Sequence, residues 1–566
     1  MTKARWTWSL LAGLMLLSFG PAVQGQGAKP PDTAEQMDKL FEFWNRLDQP
    51  GYAALVIKDA RVVYQKTFGL ACLEHQVPMT PKSIFNVVTA AELVTGMAAA
   101  MLEERGQWSQ GDDISKYVPE LPDFGVPVTI GHLVHHTSGL RDWQAVSRLA
   151  GWDGQEITMD RVLRAVKSQK QLRFAPGTRT SYSAADYDLL AEAVTRVSGK
   201  PFQDWTWENI FKPLKMTRTQ FRDNCRSMIE GQAFSYNYPR TAYFKGADNL
   251  SVMGSHSLLT SLEDLAKWMI NLQTGEVGGQ GLILKMLTPG KLTTGESAGY
   301  AYGFAVGAYR GFRQLSVIGD WAGYGAAVFY YPDQKVSFAV LANWDYSTVD
   351  QFVSSIADIY LEPFLKPEMK PEAPAAPAPK PGKEVKLSPA VLGRYAGVYR
   401  LNLGTLFVIT QSGTHLALTI PGQGGTFPLI AVSETEFTLG FPGLLVTFQR
   451  NKEGKVHQLV WRQAGTDTVA PRVELVKPTP SELGEYTGSY SNDELGLRCG
   501  VSLSGDRIVL TPQERGAIPL APQEKDHFRG NSTDFPAIVF LRDARNAVTG
   551  FFIDDEPVRD LVFKKI

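Results

Sequence analysis

Cysteine is scarce and widely spaced, with only Cys72, Cys225 and Cys499 in 566 residues. One disulfide at most could form, and no two cysteines have the short spacing of a metal-binding knuckle. The core must therefore hold without staples, and the three thiols are expected to be packed or partly exposed. An excess of either charge is missing as well: 57 Lys and Arg stand against 58 Asp and Glu, a net charge of -1. That balance offers nothing to gather nucleic acid. After residue 25 no apolar run approaches the roughly 20 residues that a membrane span needs, so no transmembrane segment is expected in the mature chain.

What is present is organised. Lys3 and Arg5 precede the apolar stretch from Trp6 to Phe19, and Gly20, Pro21 and small residues up to Gly25 follow it. This is the order of a secretory signal, so residues 1–25 are expected to direct export to a periplasm or to the outside and to be removed. The length argues for about three or four domains. Segment 367–387 alternates Pro, Ala and Lys, cannot build a core and is expected to be a semi-rigid spacer.

Beyond the spacer, Leu392-Gly393-Arg394-Tyr395-Ala396-Gly397-Val398-Tyr399 recurs as Leu483-Gly484-Glu485-Tyr486-Thr487-Gly488-Ser489-Tyr490, a shift of 91 residues. Phe448-Gln449-Arg450 recurs as Phe540-Leu541-Arg542, a shift of 92. A tandem duplication is implied, with one β module at 388–476 and a second at 478–566. Alternating runs between Gly, Asn and Asp turns predict two small all-β, barrel-like units. Neither copy contains a catalytic cluster.

The segment 35–366 opens with strand-like runs from Tyr52 to Ile57 and from Arg61 to Phe68 about a Lys58-Asp59-Ala60 turn. Helical periodicity follows from Thr89 to Arg105, Ala184 to Val197 and Leu262 to Leu272. Strand patterns return from Tyr302 to Tyr309, Ala326 to Tyr331 and Val336 to Asn343. Strands at both ends with helices between predict an α+β domain, an antiparallel sheet flanked by helices and closed by both ends of the segment.

Local signatures lie along it in order: Phe85 before the Thr89 helix, Val128-Thr129-Ile130-Gly131-His132-Leu133 leading to His136-Thr137-Ser138-Gly139-Leu140, and Phe174-Ala175-Pro176-Gly177 before Tyr182-Ser183. Thr260-Ser261-Leu262-Glu263-Asp264-Leu265 and Val340-Leu341-Ala342-Asn343 follow. The set resembles the serine β-lactamase and penicillin-binding-protein-like superfamily, on its class C β-lactamase, esterase and D-aminopeptidase side. The β modules resemble the lipocalin-like C-terminal modules of some members. The resemblance implies a β-lactamase/transpeptidase-like fold with a cleft between sheet and helices. It also implies a serine nucleophile, a lysine three residues later and a tyrosine that moves protons.

Aligned on Phe85, the nucleophile position falls on Thr89 and the lysine position on Glu92. No serine in the chain is followed three residues later by lysine, so that motif is absent rather than displaced. Thr89-Ala90-Ala91-Glu92 has the pattern of a capping box, in which hydroxyl and carboxylate satisfy the first amides of a helix. Thr89 acting as a nucleophile is the alternative. The family's Tyr-x-Asn falls on Tyr182-Ser183-Ala184, keeping the phenol and losing the amide. Its third motif, a basic residue two before a glycine, falls on Val317-Ile318-Gly319.

Two other patterns carry less. Gly295-Glu296-Ser297-Ala298-Gly299 spells G-x-S-x-G but lacks the strand before and the helix after that a nucleophile elbow requires. His135-His136 has no further ligands at a metal-binding spacing and is expected to be hydrogen-bonded structure. With its hydrolytic positions substituted, the chain is expected to be a degenerate, non-hydrolytic member, a pseudoenzyme that binds a small molecule, peptide or glycan in the cleft or engages a protein partner, with no metal or cofactor. The alternative is an amide or ester hydrolase using Thr89 with Tyr182, for which Glu92 would favour neutral or cationic substrates.

Overall fold

The opening hairpin forms where expected: strand β1 (Tyr52–Lys58) pairs antiparallel with β2 (Arg61–Phe68). Asp59 and Ala60 turn between them at φ 50° and 56°, the paired positive values whose twist matches that of the strands. The computed structural model of the chain describes residues 32–365 and 385–566, apart from 153, 239–241, 346–348, 403–404, 421–425, 440–443, 464–465, 514, 531, 533–534, 555–557 and 559–560. The expected signal at 1–25 and nearly all of the spacer at 367–387 lie outside the described residues.

Four strands from the far end of the domain, β3 (Ala305–Tyr309), β4 (Phe312–Trp321), β5 (Tyr324–Tyr331) and β6 (Val336–Ala342), complete a six-stranded antiparallel sheet. Its order is β3-β4-β5-β6-β1-β2. β6 joins β1 from Ala342 opposite Tyr52 to Val336 opposite Lys58, so both ends of the segment close one sheet. The strand expected from Tyr302 begins at Ala305 instead, because Gly303 turns at φ 85° against the Glu92 backbone.

Helices α1 (Thr33–Phe41), α2 (Ala91–Glu104), α3 (Trp143–Leu149), α4 (Ala184–Ser198), α5 (Leu262–Thr274) and α6 (Val349–Leu361) frame the sheet. α1 and α6 cover one face, where the Phe41 ring lies 5.0 Å from that of Phe68 and 4.4 Å from that of Phe352. α5 packs on β1 from the other, with α2 and α4 in the same apolar cluster behind it. With both faces covered, β1, β5 and β6 are buried along their length and carry continuous apolar runs rather than alternating ones. α2 is the most enclosed helix, and burial of Leu93, Met97 and Leu102 stabilises it by about 1.5–3 kcal/mol each.

Downstream stand two closed eight-stranded barrels, from Gly397–Asn402 to Thr466–Val473 and from Gly488–Asn492 to Val562–Lys565. The repeated tyrosines build the same corner twice. Tyr399 Oη donates to the Tyr395 carbonyl at 2.8 Å, and Tyr490 Oη to the Tyr486 carbonyl at 2.6 Å.

The second barrel docks on α3. Ala145 and Leu149 share its apolar cluster, and the buried Arg141 meets Glu494 at 2.8 Å. Arg515 donates to the Arg148 carbonyl. Cys72 and Cys499 are buried thiols and Cys225 is partly exposed. Among the described residues no helix is long and apolar enough to cross a membrane.

Candidate functional site

Asn86 Oδ1 accepts the Val88 N–H at 2.9 Å and pins Val88 at φ 50°, a costly conformation for a β-branched residue. The short turn Val88–Ala90 then delivers Thr89 to the head of α2, directly against β4. Contact is possible only because Gly319 stands there: a Cβ on it would lie 2.2 Å from Thr89 Oγ1. The register Val317-Ile318-Gly319 is thus the one that meets Thr89.

A cavity of about 440 Å³ opens at this point. Thr89, Glu92 and Tyr182 all line it, together with Gln144, His256, Tyr300 and the β4 segment 316–320. The three motif-equivalent positions therefore share one site. A larger hollow of about 760 Å³ beside Trp207, Arg218 and Met228 contains none of them.

The expected capping box does not form. α2 begins at Ala91, its N-cap Ala90 makes no side-chain bond, and Thr89 lies inside the preceding turn, where its hydroxyl has no helical amide to cap. Glu92 is engaged elsewhere. Its Oε2 lies 3.4 Å from His136 Nε2, and His136 Nδ1 lies 3.1 Å from Asp186 Oδ2. All three side chains are buried. Burial alone would drive the imidazole down, but the Asp186 and Glu92 carboxylates outweigh it and hold His136 up at about 9. The same burial raises Glu92 and Asp186, with His136 pulling both back. Nearby, burial pushes Asp142 up to about 6 and Asp188 up to about 7. His136 is the countercharge to Glu92 and Asp186 in this acid-rich layer, and the Arg148 charge acts on Asp142.

His135 behaves as structure, its Nδ1 bonded to the Tyr300 carbonyl at 2.9 Å. Tyr182 packs its ring 4.8 Å from that of His136. Burial and the adjacent Glu92 charge hold its phenol well above the ordinary value. Ser297 lies on an exposed turn ahead of β3, with no helix following it as an elbow would need.

Sequence reasoning missed His256. Ser255 Oγ donates to Asp188 Oδ1 at 2.8 Å and stands 2.7 Å from His256 Nδ1. The serine proton is thereby committed, so Nδ1 is the donor and Nε2, 3.2 Å from Gln144 Nε2, accepts. Burial keeps this imidazole neutral, down at about 4. Nothing in Gly254-Ser255-His256-Ser257 marks it, since Gln144 comes from α3 and the Asp188 that orients Ser255 comes from α4.

The cavity lining includes the carboxylates of Glu92 and Asp320 and no Lys or Arg. Among the described residues no three His, Cys, Asp or Glu side chains are grouped to hold a metal ion.

Comparison with known proteins places this geometry. The family model described as Beta-lactamase matches residues 37–358. Penicillin-binding protein 4* of Bacillus subtilis is 27% identical over 435 residues, 72% of this chain and 94% of that one. A D-aminopeptidase of Brucella anthropi is 22% identical over 529 residues, 91% of this chain and 95% of that one. In fold, the chain is similar to the octameric penicillin-binding protein homologue from Pyrococcus abyssi, with a TM-score of 0.55 and 20% identity over 86% of this chain and 99% of that one.

Proposed function

The chain belongs to the beta-lactamase family, and on that premise we propose that it is an exported, non-hydrolytic member that uses the cleft to bind a small molecule, peptide or glycan fragment. Glu92 carries this reading. A carboxylate, buried and engaged with His136, stands where the family's motif has its lysine. A lysine there accepts a proton as the neutral amine and steadies developing negative charge as the ammonium. A carboxylate places charge of the wrong sign beside a forming oxyanion. Tyr182, held far above its usual range, is a poor proton acceptor near neutral pH. Losing one member of such a constellation costs orders of magnitude in rate, and here lysine and amide are both replaced. The leader pattern at 1–25 supports export.

One observation favours the second reading, an amide or ester hydrolase. Thr89 shares its cavity with the neutral His256, and the names of the relatives point the same way. The test is incubation of the purified protein with an ester chromogen and a fluorescent penicillin, alongside Thr89→Ala and His256→Ala. The expected result is neither turnover nor a covalent adduct beyond that of the variants. Turnover lost in Thr89→Ala would establish the hydrolase instead.

A further inference from the structure

We propose that the cavity takes its ligand through a primary ammonium group seated against Glu92, an inference that rests on the binding reading above. Glu92 is 1% exposed. Oε2 is turned to His136, while Oε1 closes no hydrogen bond of good geometry and belongs to a side chain that borders the cavity. The Tyr182 hydroxyl leans on the same carboxylate and lowers it, but closes no hydrogen bond of good geometry on Oε1. A buried carboxylate oxygen left unpaired is expensive, and the group that removes the cost is a donor, best a charged one.

The surroundings select the sign. Asp320 adds a second carboxylate to the lining, and no Lys or Arg is there to receive an anion. Behind the cavity wall, Asp186 pairs with His136, while Asp142 and Asp188 are buried among neutral donors, the Gln144 N–H for the first and Ser255 and Trp143 for the second. In so weakly screened a region an incoming anion is repelled and a cation drawn in. Tyr182 and Tyr300 in the lining offer aromatic faces suited to the same charge.

The shape of the acceptor selects the kind of cation. Only one carboxylate oxygen is unengaged, so the two-pronged fit that a guanidinium exploits is not on offer. A compact ammonium, which acts as a point charge with rotatable donors, fits better. That chemistry is shared by the N-terminal amine of a peptide and the amine of an amino sugar.

The experiment titrates the full chain calorimetrically with alanyl-alanine amide and with glucosamine, each against its N-acetyl counterpart, in wild type and in Glu92→Gln. At least one free amine should bind about tenfold or more tighter than its acetylated form, and the arm that does so identifies the source as peptide or sugar. Glu92→Gln should reduce the difference to within about twofold with an unchanged near-UV spectrum. If that variant does not fold, Glu92→Asp, which keeps the charge but withdraws it from the cavity, should weaken the amine several-fold. Equal affinity for amine and acetylated form, absence of binding by both amines, or a preference that survives Glu92→Gln would each overturn the proposal. Thr89-dependent ester turnover with the amine preference intact would instead overturn the non-hydrolytic reading alone.

Discussion

Gly319 touches Thr89: strand β4 and the head of α2 meet at the one position where the strand has no side chain, with Thr89 Oγ1, Cβ and backbone N 2.2, 2.7 and 3.1 Å from where a methyl would sit. The cavity is therefore bounded here by the Thr89 side chain lying directly on strand backbone, with no side chain between them. That contact is rigid on both sides, since Thr89 follows the pinned Val88 and Gly319 is held in register opposite Ala326.

Gly319→Ala should accordingly be destabilising by about 1–3 kcal/mol, because neither backbone can retreat, and should abolish amine binding. The control is Gly307→Ala on β3, where nothing lies within 4 Å of the added methyl. That change should be neutral or stabilising by up to about 1 kcal/mol. Denaturant unfolding of the two variants side by side makes the comparison.

Stability should decline on the alkaline side. His136, flanked by Asp186 and Glu92 and packed against the rings of Tyr182, Tyr187 and Tyr300, is raised to about 9 in the folded chain. A group raised above its unfolded value near ~6.5 contributes stability that is complete below that pH and is lost as pH climbs through the folded value. Glu92 and Asp186, raised by burial, bias stability in the same direction from the unfolded carboxylate value of ~4 upward, so the alkaline fall itself is assigned to His136. The thermal midpoint of the α+β domain, followed by near-UV circular dichroism, should fall between about pH 6.5 and pH 9.5. Asp186→Asn should flatten that fall.

Arg141 and Glu494 form a buried ion pair between the α+β domain and the second barrel. Arg141→Ala takes the countercharge from a partly buried carboxylate and should cost about 3 kcal/mol, whereas Glu494→Ala leaves Arg141 its bond to the Gln171 carbonyl and should cost less. The double variant should cost clearly less than the sum. A double-mutant cycle by denaturant unfolding gives the coupling directly.

Asn86 supports the Thr89 turn from beneath, accepting the Val88 N–H and donating to Asp248 Oδ2 at 3.0 Å. Asn86→Ala leaves the buried Val88 N–H without its acceptor, while Asp248 keeps Arg222, and should cost about 1–3 kcal/mol. The turn should also relax away from its positive φ and weaken amine binding, which calorimetry on the variant would register.

Local pattern carried the fold a long way. The hairpin at Lys58-Asp59-Ala60, the helix from Ala184 and the paired barrels announced by Tyr395, Tyr399, Tyr486 and Tyr490 all follow from periodicity, turn chemistry and repetition. The site was legible as positions and not as chemistry. Thr89, Glu92 and Tyr182 were found by their place in the motif order, but the role assigned to Glu92, a helix cap, was the answer of a local rule. The carboxylate instead pairs with an imidazole 44 residues away, and no spacing encodes that choice. His256 was invisible for the same reason, because Gln144 reaches it, and Asp188 fixes the Ser255 beside it, only once α3 and α4 have packed.

α3 has two sides, one giving Gln144 to the cavity and the other giving Ala145 and Leu149 to the second barrel. The barrel that backs this wall is synthesised after every residue that lines the cavity, and domains generally fold in the order in which they emerge. The cavity is therefore finished late, after the rest of its own domain. A chain cut short within 478–566 would retain every residue that lines the cavity and still lack the backing that holds one of its walls in place.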